Sequence, residues 1–312
     1  MHNPTPFDNN FWKFPLTHAI ISCTAHCALQ SKPGGITMTY LSAALLGLVQ
    51  GICEFLPISS SGHLMLLQHI FHIEGADLTF DVLLHIGTLL PVLWMFRKDV
   101  RYVRRGIGGL IGMGHDRGRR TPRARENRRL GIFVLVASVP LLLGLLFQGA
   151  AKSLMERPAV VGILLLINGG ILYLAGRSGR AEKPDKAISI LDVLLVGLAQ
   201  IFAVLPGISR SGVTISVGLM RGFSKGFAVK FSFLLLIPAV LGAAIAALYQ
   251  AVTLGFDVGL LPMYLVGMLV SAVTGYFAIR LLRWITNRGG IGGFAYYCWG
   301  AGIVALLLSL IA

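Results

Sequence analysis

The chain alternates long apolar runs with short polar connections. Six of the apolar runs are continuous, and each approaches or exceeds the roughly 20 residues with which an α-helix crosses a bilayer. They lie at about residues 78–96, 130–150, 157–176, 224–249, 258–282 and 294–312. Runs of this length and number predict an all-α polytopic membrane protein.

Two further apolar stretches, at residues 39–73 and 189–222, are interrupted midway. The interruptions read "LPISSSGH" in the first stretch and "LPGISRSG" in the second. Proline and glycine break the backbone hydrogen-bond ladder, and the released groups then need partners inside the protein or in water. Each stretch is therefore predicted to form a re-entrant pair of short helices that meet at a break.

The two interrupted stretches resemble each other at a constant offset of 150 residues. Seven of sixteen aligned positions are identical: Gly47, Leu48, Gln50, Ile58, Ser59, Ser61 and Gly62 match Gly197, Leu198, Gln200, Ile208, Ser209, Ser211 and Gly212. This similarity indicates an internal duplication, with repeat halves at about 39–176 and 189–312. Each half then contains one re-entrant pair and three crossings.

The distribution of basic residues predicts the orientation of the halves. Of the 27 Lys and Arg residues, 12 lie in the connection at 97–129, and such a basic loop is expected in the cytoplasm. If this loop is cytoplasmic, tracing the crossings along the chain places both ends of the first interrupted stretch outside the cytoplasm and both ends of the second inside it. Because three crossings invert the second half, the halves form an inverted-topology repeat. Repeats of this kind place their site at the interface near the middle of the membrane.

Composition narrows the class of protein and of partner. The chain is 55% hydrophobic and 13% charged, whereas soluble domains carry about 25% charged residues. The net charge of +14 is concentrated in the basic loop, which favours contact with anionic lipid headgroups and not with nucleic acid. We expect an integral membrane domain at 38–312 and a disordered N-terminal extension at 1–37.

Three ionisable residues stand out within the interrupted stretches: Glu54, His63 and Arg210. Such residues at membrane depth are costly and usually functional. Gln50 and Glu54 are four residues apart and share a helix face, where their oxygens suit a divalent cation such as Mg²⁺ or Ca²⁺. The alternative is a buried hydrogen-bonded pair that holds helices together.

Each break also predicts an anion site, because the first N–H groups of a restarting helix lack partners inside the helix. Arg210 adds a guanidinium suited to two-point contact with phosphate. The hydroxyl groups expected to bind substrate are those of Ser59, Ser61, Ser209, Ser211 and Thr214. The alternative is that these small residues only allow helices to pack closely.

His63 lies three residues after Ser60, which occupies the repeat position of Arg210. A histidine titrates near neutral pH and can act as acid, base or nucleophile. The second histidine of this region, His85, is expected to be structural or to support the site from behind. Together these residues predict a phosphate-handling site for an amphiphilic substrate.

At this point the chain resembles the bacterial undecaprenyl-diphosphate phosphatases of the bacitracin-resistance type. The two motifs that carry the resemblance are "QGICEFLPISSSGH" at 50–63 and "PGISRSGVT" at 206–214. The similarity extends to "FDVLLHIGTLLPVLWMF" at 80–96 and "FSFLLLIPAVLGA" at 231–243, and covers the chain from Met38 onward.

The resemblance implies a metal-dependent enzyme of the bacterial inner membrane that hydrolyses a C55 isoprenyl diphosphate lipid to its monophosphate. Such an enzyme recycles the lipid carrier of cell-wall synthesis, confers bacitracin resistance and has its site facing the periplasm. By the same resemblance, Gln50 and Glu54 form the acidic motif, Ser60 and His63 are catalytic, and Arg210 with its flanking serines binds phosphate.

Three alternatives stay open. Ser60 is the first candidate nucleophile, activated by His63 or Glu54, and attack by His63 itself is the other. An inverted-repeat transporter or translocase of lipid phosphates would use the same anion site without a nucleophile. The sequence also leaves open whether the chain acts as a monomer or a homodimer.

Overall fold

The protein is described here from a computed structural model that covers residues 36–74, 76–110, 122–144, 154, 157–178, 182–184, 187–254 and 257–311. Within these ranges the regular structure is helical, apart from strands β1 (Ile36–Thr37) and β2 (Ile73–Glu74), which pair in parallel. The all-α prediction is therefore confirmed. Residues 1–35 of the predicted extension lie outside the described residues, and its last two residues form β1.

The α-helices are α1 (Tyr40–Phe55), α2 (Ser60–Ile70), α3 (Leu78–Met95), α4 (Arg97–Leu110), α5 (Pro122–Gly144), α6 (Pro158–Gly176), α7 (Ile190–Phe202), α8 (Arg210–Met220), α9 (Lys225–Leu254), α10 (Leu261–Arg288) and α11 (Phe294–Ile311). A 3₁₀ turn, Val258–Leu260, precedes α10.

Among the residues that the structure describes, five segments are long and apolar enough to cross a membrane, which makes this a multi-pass membrane protein. They are Leu78–Met95, Arg125–Gly144, Pro158–Gly176, Lys225–Tyr249 and Val258–Arg288. The sixth predicted span, 294–312, corresponds to α11, whose apolar part Phe294–Leu310 is shorter than the roughly 20 residues of a typical crossing.

The basic segment predicted as a loop at 97–129 is largely helical. Helix α4 begins at Arg97, and α5 begins at Pro122, eight residues before the predicted start of its span. Arginine, alanine and glutamate favour helix over this stretch, and proline is well tolerated in the first helical turn. Residues 111–121 lie outside the described ranges, as do 145–150 at the predicted end of the span.

Both interrupted stretches form two short helices around a break, and three of their four helix bounds match at the offset of 150; the exception is the end of the first helix, at residue 55 in α1 and 202 in α7. Helices α1 and α7 begin at residues 40 and 190, and helices α2 and α8 cover 60–70 and 210–220. The capping residues match as well. Thr39 and Ser189 both form capping boxes, and Ser59 and Ser209 both accept a hydrogen bond from the backbone of the third residue that follows.

Glycines bring the short helices into backbone contact with long ones. A Cβ on Gly47 of α1 would lie 2.3 Å from the carbonyl oxygen of Gly267 in α10, and a Cβ on Gly197 of α7 would lie 2.6 Å from that of Ala137 in α5. Small residues allow such close packing between membrane helices. Helices α1 and α7 thus each pack closely against a long helix from the other half of the sequence.

Candidate active site

The acidic pair lies at the carboxyl end of α1 and is buried. The Glu54 side chain is 6% exposed, and the Gln50 amide donates a hydrogen bond to Glu54 Oε2 at 3.1 Å. The other amide atom, Gln50 Oε1, is buried and has no partner among the described residues.

Ser60 reaches back across the first break to the same carboxylate. Its hydroxyl donates to Glu54 Oε2 at 2.7 Å. The preceding residue, Ser59, has a φ of +73°, a value that few residues other than glycine adopt. Its Oγ accepts from the backbone N–H of Gly62 at 3.3 Å and lies 3.4 Å from Ser61 Oγ. This local turn directs the hydroxyl of Ser60 toward Glu54.

Arg210, the first residue of α8, brings a cation to Glu54 from the second break. Its Nη2 donates to Glu54 Oε1 at 2.5 Å, across 156 residues of sequence. Its other terminal nitrogen, Nη1, is buried and has no partner among the residues that the structure describes. Nη1 of Arg210 can therefore donate a hydrogen bond to a further acceptor.

The hydroxyl groups around Arg210 are buried and bonded within the protein. Ser209 Oγ accepts from the Gly212 N–H at 3.1 Å and lies 3.1 Å from Ser211 Oγ. Thr214 donates to the carbonyl oxygen of Arg210 at 2.8 Å. Of the five hydroxyl residues predicted to bind substrate, these three and Ser59 are buried, and Ser61 is half-buried. Their present contacts stabilise the starts of α2 and α8.

His63 lies on the first turn of α2, with both ring nitrogens engaged. Nδ1 is 2.8 Å from the carbonyl oxygen of Ser59, and Nε2 is 2.9 Å from the hydroxyl of Tyr297, whose ring stacks on the imidazole. A carbonyl oxygen only accepts, so the neutral ring carries its proton on Nδ1. The lone pair is then on Nε2.

Two further residues contact the site: His85, which the sequence predicted to be structural or to support the site, and Asn168, which the sequence did not single out. His85 of α3 places Nε2 3.6 Å from Glu54 Oε2. Asn168 of α6 donates to the carbonyl oxygen of Pro57 in the first break and accepts from the N–H of Ser209 in the second, both at 3.0 Å. The only available signal for Asn168 was an amide inside an apolar span.

The two breaks are in direct contact. A Cβ added to Gly62 would lie 3.2 Å from the Cα of Gly207, and the φ of Gly207 is +107°, which favours glycine. Together with the Asn168 bridge and the ion pair between Glu54 and Arg210, this contact joins both interrupted stretches in one site.

Glu54 and Gln50 offer oxygen atoms that could serve as ligands of a divalent cation. No group of three or more His, Cys, Asp or Glu side chains with metal-binding geometry occurs among the described residues. A small cation such as Mg²⁺, however, is often held by one or two carboxylates together with waters and substrate phosphates. Glu54 and the unpartnered Gln50 Oε1 fit that kind of site, in which the substrate completes the ligand shell.

The helices and this site define a multi-pass membrane protein with a buried carboxylate, arginine, serine and histidine where two broken helices meet. The chain matches the model of the family "Bacitracin resistance protein BacA" over residues 43–304 and belongs to that family.

Curated relatives agree with this assignment. Proteins named undecaprenyl-diphosphatase from Halothermothrix orenii and Carboxydothermus hydrogenoformans are 38% and 39% identical to this chain. Each alignment covers 87% of the chain, with 99% and 98% of the respective relative. A protein of the same name from Desulfosudis oleivorans is 40% identical over 88% of this chain and 100% of its own length.

Proposed function

We propose that this chain hydrolyses undecaprenyl diphosphate to undecaprenyl phosphate and inorganic phosphate, and so recycles the lipid carrier of cell-wall synthesis and confers bacitracin resistance. The family and the names of its relatives support this activity. The observation that carries it in this chain is the contact of Arg210 with Glu54, which joins an anion-binding group and a general base from separate breaks.

The terminal phosphate of the substrate binds at the starts of α2 and α8. Helix N-termini offer unpaired N–H groups and a positive dipole to anions. Arg210 contributes its unpartnered Nη1, which can donate to a phosphate oxygen while Nη2 stays on Glu54. These donors stabilise the charge that spreads over the equatorial oxygens as the phosphoryl group is transferred.

Ser60 is our first candidate for the nucleophile, with Glu54 as its base. The hydroxyl already donates to Glu54 Oε2 at 2.7 Å, within the reach expected of a nucleophile and its base. As Oγ forms a bond to the terminal phosphorus, its proton passes to Glu54. The bridging P–O bond breaks, and its electron pair leaves with the lipid monophosphate. Water then releases inorganic phosphate from the serine.

His63 is the alternative nucleophile. The carbonyl oxygen of Ser59 holds its Nδ1–H, which leaves the Nε2 lone pair for attack on phosphorus, and the hydroxyl of Tyr297 would move aside for the substrate. A phosphohistidine would then replace the phosphoserine, and Glu54 would orient the attacking water.

A divalent cation, Mg²⁺ or Ca²⁺, is proposed at Glu54 and Gln50, where the unpartnered Gln50 Oε1 supports a ligand role. When bound, it would neutralise phosphate charge and polarise a phosphoryl oxygen. Arg210 and Gln50 thus leave one buried donor and one buried acceptor in the same site, a combination that suits a phosphate with its counter-cation.

The proposed architecture is an inverted-topology repeat in which each half is a re-entrant helix pair with three crossings. Three of the four helix bounds match at the offset of 150, which supports the duplication. The reciprocal packing of α1 on α10 and α7 on α5 is what a two-fold relation between halves would produce. With the basic segment in the cytoplasm, the protein lies in the bacterial inner membrane with its site open to the periplasm. Homodimer formation stays a prediction.

Arg210→Ala tests the phosphate-binding role. We expect phosphate release from undecaprenyl or farnesyl diphosphate, measured on the purified protein in detergent, to fall by about 10²- to 10³-fold or more, the usual cost of losing a donor to transition-state charge. Arg221→Ala is the matched control, because Arg221 also pairs with a buried carboxylate, that of Asp192 at 2.6 Å, but away from the breaks. If Arg210→Ala retained the activity of the control, the assignment would be wrong.

A further inference from the structure

A basic cavity of about 300 Å³ lies between the carboxyl end of α3, the beginnings of α4 and α9, and the end of α10. The charged side chains that line it are three cations, Lys225, Lys230 and Arg283, and one carboxylate, Asp99. Lys230 pairs with Asp99 at 3.3 Å. The lining therefore keeps a formal excess of two positive charges, which favours an anion.

This cavity is separate from the site at Glu54. Gly275 of α10 lies opposite the ring of Phe55, the residue after Glu54, and Arg283 follows Gly275 by eight residues. At 1.5 Å per helical residue, the cavity is about 12 Å further along α10.

The amino end of α9 opens into the same cavity. Ser224, Lys225, Gly226 and Phe227 all line it. Ser224 Oγ accepts from the Phe227 N–H at 3.3 Å. The N–H groups of Lys225 and Gly226 lie in the first turn, where no carbonyl group of the helix is available to accept from them. A Cβ on Gly226 would meet nothing within 4 Å. A 30-residue helix thus points its positive end into a cavity with cations on its walls.

An independent observation also indicates a ligand. Thr286 lines the cavity and is 1% exposed, yet its Oγ1 has no hydrogen-bond partner among the described residues. A buried hydroxyl without a partner is unfavourable. A phosphate oxygen in the cavity would accept its hydrogen, while the ammonium and guanidinium groups would neutralise the charge.

We propose that this cavity binds a phosphate group through Lys225, Arg283, the start of α9 and the hydroxyl of Thr286. The same chemistry is offered by free inorganic phosphate and by the headgroup of an anionic phospholipid. The proposal is independent of the reaction at Glu54.

The test uses the full-length protein in detergent, in an Arg210→Ala background that removes phosphate binding at the Glu54 site. Two probes are applied. Binding of inorganic phosphate is measured by the rise in thermal unfolding temperature, and binding of phosphatidylglycerol by retention of the lipid in native mass spectrometry. The double substitution Lys225→Ala and Arg283→Ala is compared with Lys98→Ala and Arg280→Ala, which remove equal charge from α4 and α10 outside the cavity lining.

We expect the cavity substitutions to weaken binding of one probe by at least about tenfold, the effect of losing one charge-assisted hydrogen bond, while the control pair leaves it unchanged. A response to inorganic phosphate assigns the site to the free anion, and a response to phosphatidylglycerol alone assigns it to lipid. Thr286→Val should weaken the same probe without lowering the unfolding temperature of the unliganded protein. Equal binding of both probes to the cavity and control variants would overturn the proposal.

Discussion

Asn168→Ala tests whether one amide aligns the two breaks. In the structure this side chain donates to the carbonyl oxygen of Pro57 and accepts from the N–H of Ser209. Alanine removes both bonds and leaves both backbone groups buried. The N–H of Ser209 then has no other described partner, and the carbonyl oxygen of Pro57 keeps only a long contact with the thiol of Cys298, a weak donor, at 3.7 Å.

The size of the effect follows from those two groups. A buried polar group without a partner costs about 1–3 kcal/mol; with one group left wholly and the other partly unpaired, the substitution should lower the free energy of unfolding by about 1–6 kcal/mol. The larger consequence is for activity. Ser209 caps the helix that begins with Arg210, and a displacement of about 1 Å at a catalytic group can cost about 10²-fold in rate.

Ser271→Ala provides the control for this experiment. Ser271 is as buried as Asn168 and donates one interhelical hydrogen bond, to the carbonyl oxygen of Leu84 at 2.8 Å, but it contacts neither break. Thermal unfolding and phosphate release are measured on both purified variants. We expect both to lose stability, and Asn168→Ala alone to lose kcat. Similar kcat values in the two variants would refute the alignment role.

Other predictions concern the chemistry and the contact of the breaks. Glu54→Gln keeps the size of the side chain but removes the base and its charge, and should lower kcat by about 10²-fold or more; a variant with normal kcat would exclude Glu54 as the base. A phosphoenzyme trapped by acid quenching should be acid-stable and absent from Ser60→Ala if serine attacks, or acid-labile and absent from His63→Ala if histidine does. Removal of divalent cations with a chelator should abolish activity until Mg²⁺ or Ca²⁺ is restored, and full activity with the chelator present would remove the proposed cation. Gly62→Val should reduce both folding yield and activity, because its Cβ would lie 3.2 Å from the Cα of Gly207; wild-type levels of both would show that the breaks can separate at little cost.

The helices around the breaks could be predicted because their signals are local. Proline, glycine and a capping serine end one helix and start the next, and these residues recur at the same offset in both stretches. The connection at 97–129 was harder to interpret. Its arginines identified a basic segment, but arginine is also a good helix former, and charge alone does not distinguish a loop from an extended helix end.

The contacts of the site could be predicted less well, since they join distant parts of the chain. The four-residue spacing of Gln50 and Glu54 predicts a shared helix face, but not that Arg210 would pair with that carboxylate. His85, Asn168 and Tyr297 come from three other helices, and sequence gives no distances between helices. That the hydroxyls of Ser209, Ser211 and Thr214 bind substrate stays a prediction; in the structure they are hydrogen-bonded within the protein around the start of α8.

The shared attachment of both breaks to Asn168 also bears on the translocase alternative. Transport by alternating access requires one half of a protein to rock against the other. Here such rocking would break the hydrogen bonds of two main-chain groups to a common side chain and separate Arg210 from the buried carboxylate of Glu54. These contacts favour a catalytic centre that stays in place while the lipid binds and leaves, without a large movement of the helices.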